Sequence, residues 1–256
     1  MERTITYEQP LNERVRTFLR IEFLFDRFDY YINSSNEWDS RYTLTILLDI
    51  VDFLNRSDIK SELIKALERH ASTLTSLAEA PGVDNQRLDN ILNEIKNNLG
   101  LLRDKSCQPG QTLRQDEFII SIKQRNTIPG GSCNFDLPSY HYWLNKSYSE
   151  RNKQLEEWQY DLQIIKKSIK LSLNMIRNST NPSIEQADRG FYQKPIESKA
   201  ACHLIRIVLP VESKYYPEIS GGRHRFTIHF MEQQSTSERP VQASDTIQFE
   251  LHCCIL

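Results

Sequence analysis

The spacing of apolar residues changes once along this chain, and that change decides what it can fold into. From Leu11 to about Asn178 apolar side chains recur at three- and four-residue intervals; beyond Pro182 they alternate with polar ones. The first spacing turns one face of a helix toward a core, and the second turns one face of a strand there. Leu11, Val15, Phe18, Leu19, Phe25 and Phe28 predict a first helix, apolar over more than half its circumference and therefore central. Asn36 is placed to cap a second helix bearing Leu44, Leu47, Leu48, Val51 and Leu54. Asp58 caps a third, carrying Leu63, Leu67, Leu74 and Leu77 and ended by Ala80-Pro81-Gly82. Asp84 caps a fourth, with Val83 as a hydrophobic staple and Leu88, Ile91, Leu92, Ile95 and Leu99 on its inner face. A shorter helix is expected over 113–124, and Asp136, with Pro138 just inside, opens another. Ser147 and Glu150 have capping-box spacing for a long helix to about Asn178, whose inner face holds Leu155, Trp158, Leu162, Ile165, Ile169, Leu173 and Ile176.

The alternating part predicts strands. Residues 204–209 form an apolar, β-branched run. Phe226, Ile228 and Phe230 alternate with Arg225, Thr227 and His229; Ile247, Phe249, Leu251 and Cys253 alternate with Gln248, Glu250 and His252. Ser220-Gly221-Gly222 and residues 237–244 read as loops, and residues 4–8 as a short strand before Pro10. Helices first and strands last predict an α+β fold. Its expected parts are an N-terminal multi-helix domain over 10–180 and a smaller, mainly antiparallel β-sheet domain over 181–256, which the strand at 4–8 joins.

Composition narrows the function. The 256 residues carry 32 basic and 34 acidic side chains, a net charge of -2, which argues against a general nucleic-acid binder. Only 8 glycines and 10 prolines point to long elements rather than low-complexity tails. No apolar run approaches the roughly 20 residues that span a bilayer, and none follows the first basic residues as a signal peptide would require. Five scattered cysteines, an odd number, fit reduced thiols in a cytosol better than a disulfide framework.

Signatures of catalysis are missing: the sequence has no phosphate loop, dinucleotide glycine fingerprint or nucleophile elbow. Ile128-Pro129-Gly130-Gly131 offers a structural turn or, less simply, an anion nest at a helix start. Cys202-His203, His224, His229 and His252-Cys253-Cys254 hold four of the six histidines, and sulfur with imidazole suits zinc. A zinc-binding regulator or metal-dependent enzyme built on these residues is the alternative function. The spacing is poor for it, because adjacent strand residues such as Cys202 and His203 point to opposite faces. Buried thiols and surface imidazoles are the simpler account. Arg223, His224 and Arg225 lead into the strand whose polar face carries Arg225, Thr227 and His229. If strands 225–231 and 247–252 are neighbours, that face continues with Gln248 and Glu250. It is either a plain solvated face or a docking surface for an acidic peptide, since arginine presents a planar fork to carboxylates.

Five ordered strings carry a family resemblance across almost the whole chain. They are residues 10–24 (PLNERVRTFLRIEFL), 128–143 (IPGGSCNFDLPSYHYW), 190–193 (GFYQ), 216–221 (YPEISG) with Arg225-Phe226 after it, and 249–254 (FELHCC). Together they resemble the ZapD family. The resemblance implies a helical domain joined to a smaller β-domain, a homodimer, no catalysis, no cofactor and no nucleic-acid or membrane partner. It implies that the partner is the C-terminal tail of FtsZ, in the cytoplasm at the midcell division site, and that filaments are bundled there to promote and stabilise the Z-ring. It also implies that basic residues bind this acidic and apolar tail, here Arg225, Arg223, Arg56 and Arg114. His229 stands where relatives can have arginine; an ordinary imidazole is mostly uncharged at neutral pH, which lowers its expected contribution.

Overall fold

The computed structural model describes residues 3–56, 58–78, 83–196, 202–222 and 224–255. The expected α+β architecture is present, with helices in the N-terminal part and antiparallel sheets. The chain divides into two compact units, Leu19–Ser172 and Met1–Phe18 with Leu173–Leu256.

The helical unit takes in most of α1 (Glu13–Tyr31), then α2 (Glu37–Arg56), α3 (Ile59–Leu77) and α4 (Asn85–Arg103). Asp58 and Asp84 cap α3 and α4 by accepting hydrogen bonds from the amides of Ser61 and Arg87. Asn36 accepts from the Trp38 amide at the start of α2. The Ala80-Pro81-Gly82 stop lies outside the described residues. The predicted helix at 113–124 is two helices, α5 (Gln111–Gln115) and α6 (Glu117–Asn126). Asp116 divides them: its extended backbone ends α5, its side chain accepts from the Ile119 amide to cap α6, and it also accepts from Trp158 Nε1 at 3.0 Å. Helix α7 (Pro138–Leu144) begins one residue later than Asp136 would place it, with Leu137 at the cap. The Ile128–Gly131 segment is a structural turn whose Gly131 amide donates to Ile128 O, so that amide is not offered to an anion.

Ser147 and Glu150 form the predicted reciprocal cap. The long helix after them is interrupted, however. It is α8 (Tyr148–Gln159), a 3-10 turn at Tyr160–Leu162 and α9 (Gln163–Arg177). The tighter turn carries Asp161, whose carboxylate accepts from the Thr112 amide at 3.0 Å. The predicted inner face survives the break: Leu155, Trp158, Leu162, Ile165, Ile169, Leu173 and Ile176 are all buried. Arg151 is buried too, with no acidic partner among the described residues; it donates to Ser40 Oγ, Leu144 O, Lys146 O and Ser35 O. Four acceptors supply what water would have given the guanidinium.

The β unit holds β1 (Thr4–Pro10), β2 (Ser183–Ala187), β3 (Phe191–Pro195), β4 (Cys202–Pro210), β5 (Tyr215–Gly221), β6 (Arg225–Glu232), β7 (Val241–Gln242) and β8 (Ile247–Ile255). One sheet has the order β1-β4-β8-β2; the other has β3-β6-β5, with β7 also on β6. All pairings described are antiparallel. Three expectations are corrected, the first being that residues 237–244 are not all loop, since they contain β7. Ser220 and Gly221 belong to β5 rather than to a loop, although Gly222 lies outside it. Strands β6 and β8, taken as possible neighbours, lie in different sheets, so Gln248 and Glu250 do not extend the polar face of β6. Instead their apolar faces share one core: Phe226, Ile228 and Phe230 from β6 meet Ile247, Phe249 and Leu251 from β8, with Ile205, Ile207 and Leu209 from β4. Gly190, between β2 and β3, has φ +67°, and an added Cβ there would lie 2.8 Å from Ala243 O. Only glycine takes that backbone shape at that distance without strain.

Candidate functional site

Strand β6 positions the sequence-predicted site in the β unit. Its alternation buries Phe226, Ile228 and Phe230, which leaves Arg225 exposed and Thr227 and His229 half-buried on the other face. Because β6 lies between β3 and β5, that face is flanked on both sides. Phe191, Gln193 and Pro195 of β3 stand opposite His229, Thr227 and Arg225. Glu218 and Ser220 of β5 stand opposite His229 and Thr227. His229 Nδ1 is 3.1 Å from Gln242 Oε1, and its ring lies 5.1 Å from that of the exposed Phe191. Among the described residues none hydrogen-bonds the Arg225 guanidinium; its backbone carbonyl accepts from the Gly222 amide at 3.0 Å.

The face therefore combines an available guanidinium, an imidazole already engaged by a neighbour, and an exposed aromatic ring. A carboxylate-bearing segment with an apolar residue has both a charged and an apolar partner there. Glu218 opposite His229 sets a limit on that attraction, since it repels an acidic ligand at that end. Phe191, Glu218 and Gln242 were not foreseen as neighbours; only strand pairing identifies them, and pairing is non-local. Arg223 lies outside the described residues.

Arg56 and Arg114 belong to the helical unit. Arg56 is the exposed last residue of α2, where a cation meets the negative end of the helix dipole. Arg114, exposed on α5, donates from Nη1 to Asn55 Oδ1 at 3.1 Å. Asn55 precedes Arg56, so these two predicted cations are neighbours. The five predicted residues thus fall into a pair on β6, a pair beside the end of α2, and Arg223.

Among the described residues, the histidines and cysteines considered for zinc form no metal-holding group, although Cys202 and Cys253 pack against the same core. His229 is on the outer face of its sheet beside Gln242. His203 accepts from Asn12 Nδ2 at 2.9 Å, and His252 Nε2 lies 2.6 Å from Glu250 Oε1 on the other sheet. Cys254 is buried. Among the described residues no group of three or more His, Cys, Asp or Glu side chains is placed to hold a metal ion.

Comparison with known sequences bears on the whole chain. A sequence model of the ZapD family, described as a cell division protein, matches residues 19–229. The cell division protein ZapD of Methylococcus capsulatus is 38% identical over 256 residues, covering 100% of both chains. The protein of that name from Cronobacter sakazakii is 37% identical over 254 residues, 99% of this chain and 100% of the other. That of Coxiella burnetii is 34% identical over 252 residues, 98% of each. Among the described residues, no helix is long and apolar enough to cross a membrane.

Proposed function

Because the chain belongs to the ZapD family of cell division proteins, we propose that it binds the C-terminal tail of FtsZ and cross-links FtsZ filaments as a homodimer. In this role it is a non-enzymatic accessory factor that works in the cytoplasm, is recruited to midcell and strengthens the Z-ring. The observation that carries the tail-binding part is Arg225: an exposed guanidinium on β6, opposite Pro195 of β3, on the face that carries His229 and Phe191 farther along, and without a described hydrogen-bond partner. Arg56 and Arg114 supply further positive charge at the surface of the helical unit. Arg223 and His229 complete the proposed set of tail contacts.

The mechanism follows from valence. A flexible tail loses conformational entropy when it is captured, so a single site binds it weakly. A dimer has two sites and a filament displays many tails, so the second capture is intramolecular. Avidity then rises by about 10² to 10⁴ when the geometry allows both sites to engage. A dimer whose sites engage different filaments ties those filaments together.

Co-sedimentation with polymerised FtsZ tests this. The protein should pellet with filaments and bundle them when the tail is present, and do neither when the tail is removed. Equal pelleting with tailless filaments would overturn the assignment of the tail as partner.

A further inference from the structure

Cys202 opens β4 and Cys253 lies near the end of β8, on paired strands. Leu204 stands opposite Cys254 and Ile205 opposite Cys253. An unbroken register would place Cys202 on the face of Leu204, away from Cys253. The register shifts between Cys202 and Leu204, so Cys202 stands opposite Ile255 instead. Ile255 shares the parity of Cys253. The irregularity therefore turns Cys202 to the same inner side as Cys253, one diagonal step away.

Both cysteines pack against the core of the β unit, are half-buried, and line one cavity of about 380 Å³ with Lys194, Ser183 and Phe226. Cys202 Sγ donates to Leu204 O at 3.7 Å. The neighbouring Cys202 thiol draws the Cys253 thiol down to about 7, against the upward push of burial; the Lys194 ammonium assists and the Glu185 carboxylate opposes. Its neighbour Cys253 and burial push the Cys202 thiol strongly up. Burial pushes the Cys254 thiol up to about 11, and the Arg206 and Arg177 guanidiniums offset this only in part.

We propose that Cys202 and Cys253 form an oxidisable dithiol, with Cys253 the residue oxidised first and Cys202 the one that resolves it. The oxidant is a hydroperoxide. The Cys253 thiolate attacks a peroxide oxygen; an S–O bond forms, the O–O bond breaks, and the departing oxygen leaves as water after taking a proton, giving the sulfenic acid. The Cys202 sulfur, losing its proton, then attacks the Cys253 sulfur. The S–S bond forms, the S–O bond breaks and a second water leaves. In sum two thiols and one hydrogen peroxide give one disulfide and two waters, and a thiol reductant reverses the change. The cavity beside the two sulfurs gives the oxidant a way in, and no part of the tail-binding proposal uses either cysteine.

Peptide mapping of the full-length protein after limiting hydrogen peroxide is the direct test. The expected product is an intramolecular Cys202–Cys253 link, removed by dithiothreitol. In Cys202→Ser, a dione probe should trap sulfenic acid at Cys253; in Cys253→Ser, peroxide should leave Cys202 unmodified. On the unoxidised wild-type protein at pH 7, iodoacetamide should label Cys253 on the order of tenfold faster than Cys107 or Cys133. The wild-type mapping stands even if a variant fails to fold. A Cys202–Cys253 link absent from oxidised wild-type protein, a link between two chains in its place, or Cys253 labelled no faster than Cys107 would overturn the proposal.

Discussion

Phe230 of β6 and Phe249 of β8 lie ring to ring across the two sheets of the β unit, their centroids 5.0 Å apart and their planes tilted by 52°. Both side chains are buried, and Tyr192 of β3 meets the Phe249 ring edge-on at 5.2 Å. The pair is one of the points at which the two sheets hold each other. Truncating Phe230 to alanine should destabilise the protein by about 3–5 kcal/mol, the usual cost of removing a buried aromatic ring. Urea unfolding measures it. A loss well under 1 kcal/mol would mean that the sheets close the gap on their own.

Arg225 is on the opposite face of that strand, and its replacement should separate binding from folding. Arg225→Glu should weaken capture of an FtsZ tail peptide by about 1.5–3 kcal/mol or more, roughly ten- to a hundredfold. Its unfolding midpoint should stay close to that of the parent, because the side chain is exposed. Wild-type affinity should also fall with salt as the Debye length shrinks from about 10 Å at 0.1 M to about 3 Å at 1 M. Fluorescence titration with a labelled peptide reads both effects. A folded Arg225→Glu protein with parental affinity would remove β6 from the site.

Bundling should require two sites on one particle. Light scattering should give about twice the single-chain mass of 30.1 kDa at micromolar concentration. A variant reduced to the single-chain mass should still bind the tail peptide but leave filaments unbundled under electron microscopy. A monomer that bundles as well as the parent would rule out cross-linking by a dimer.

Glu8 gives the β unit an acid-sensitive fastening. It accepts a forked pair of hydrogen bonds from Arg177, at 2.9 and 2.8 Å, and another from Arg206 at 2.9 Å. Burial pushes its carboxyl up, but the two guanidiniums outweigh burial and hold it below the ordinary value of 4.5. A carboxyl depressed by folding stabilises the folded state above its unfolded pKa, and that stability is lost as pH falls through the lower, folded one. Thermal melts taken downward from pH 5 should therefore show a fall in stability that is smaller in Glu8→Gln. Parallel curves for the two proteins would show that the ion pairs contribute nothing on folding.

The α+β order was legible because period is a local property. So were the caps: Asp58, Asp84 and the Ser147–Glu150 pair each announce a helix start within four residues. Legibility failed where a distant partner decides the outcome. Asp116 divides a predicted helix partly to meet Trp158, and Asp161 stands in a tight turn to meet Thr112. Strand β5 was hidden by Pro217 and the glycine after Ser220; proline is tolerated there because β5 is at the edge of its sheet. For the site, parity correctly placed Arg225 on the outer face of β6. Its neighbours came from β3 and β5, not β8, because pairing joins segments far apart in sequence.

Synthesis order gives the pairing of β1 with β4 a cost in time. Glu8 meets Arg206, 198 positions farther along. At about 5–20 residues per second, a ribosome needs roughly 10–40 seconds to make that stretch. Throughout that interval the segment of β1 has been made while its partner strand does not yet exist. Its unmatched backbone is a ready template for a strand of another chain. Tyr7, Glu8 and Gln9 leave little apolar length for such a mispairing to use, and Pro10 lacks the amide that would extend it. The short, polar character of this strand suits the nascent chain as much as the finished sheet.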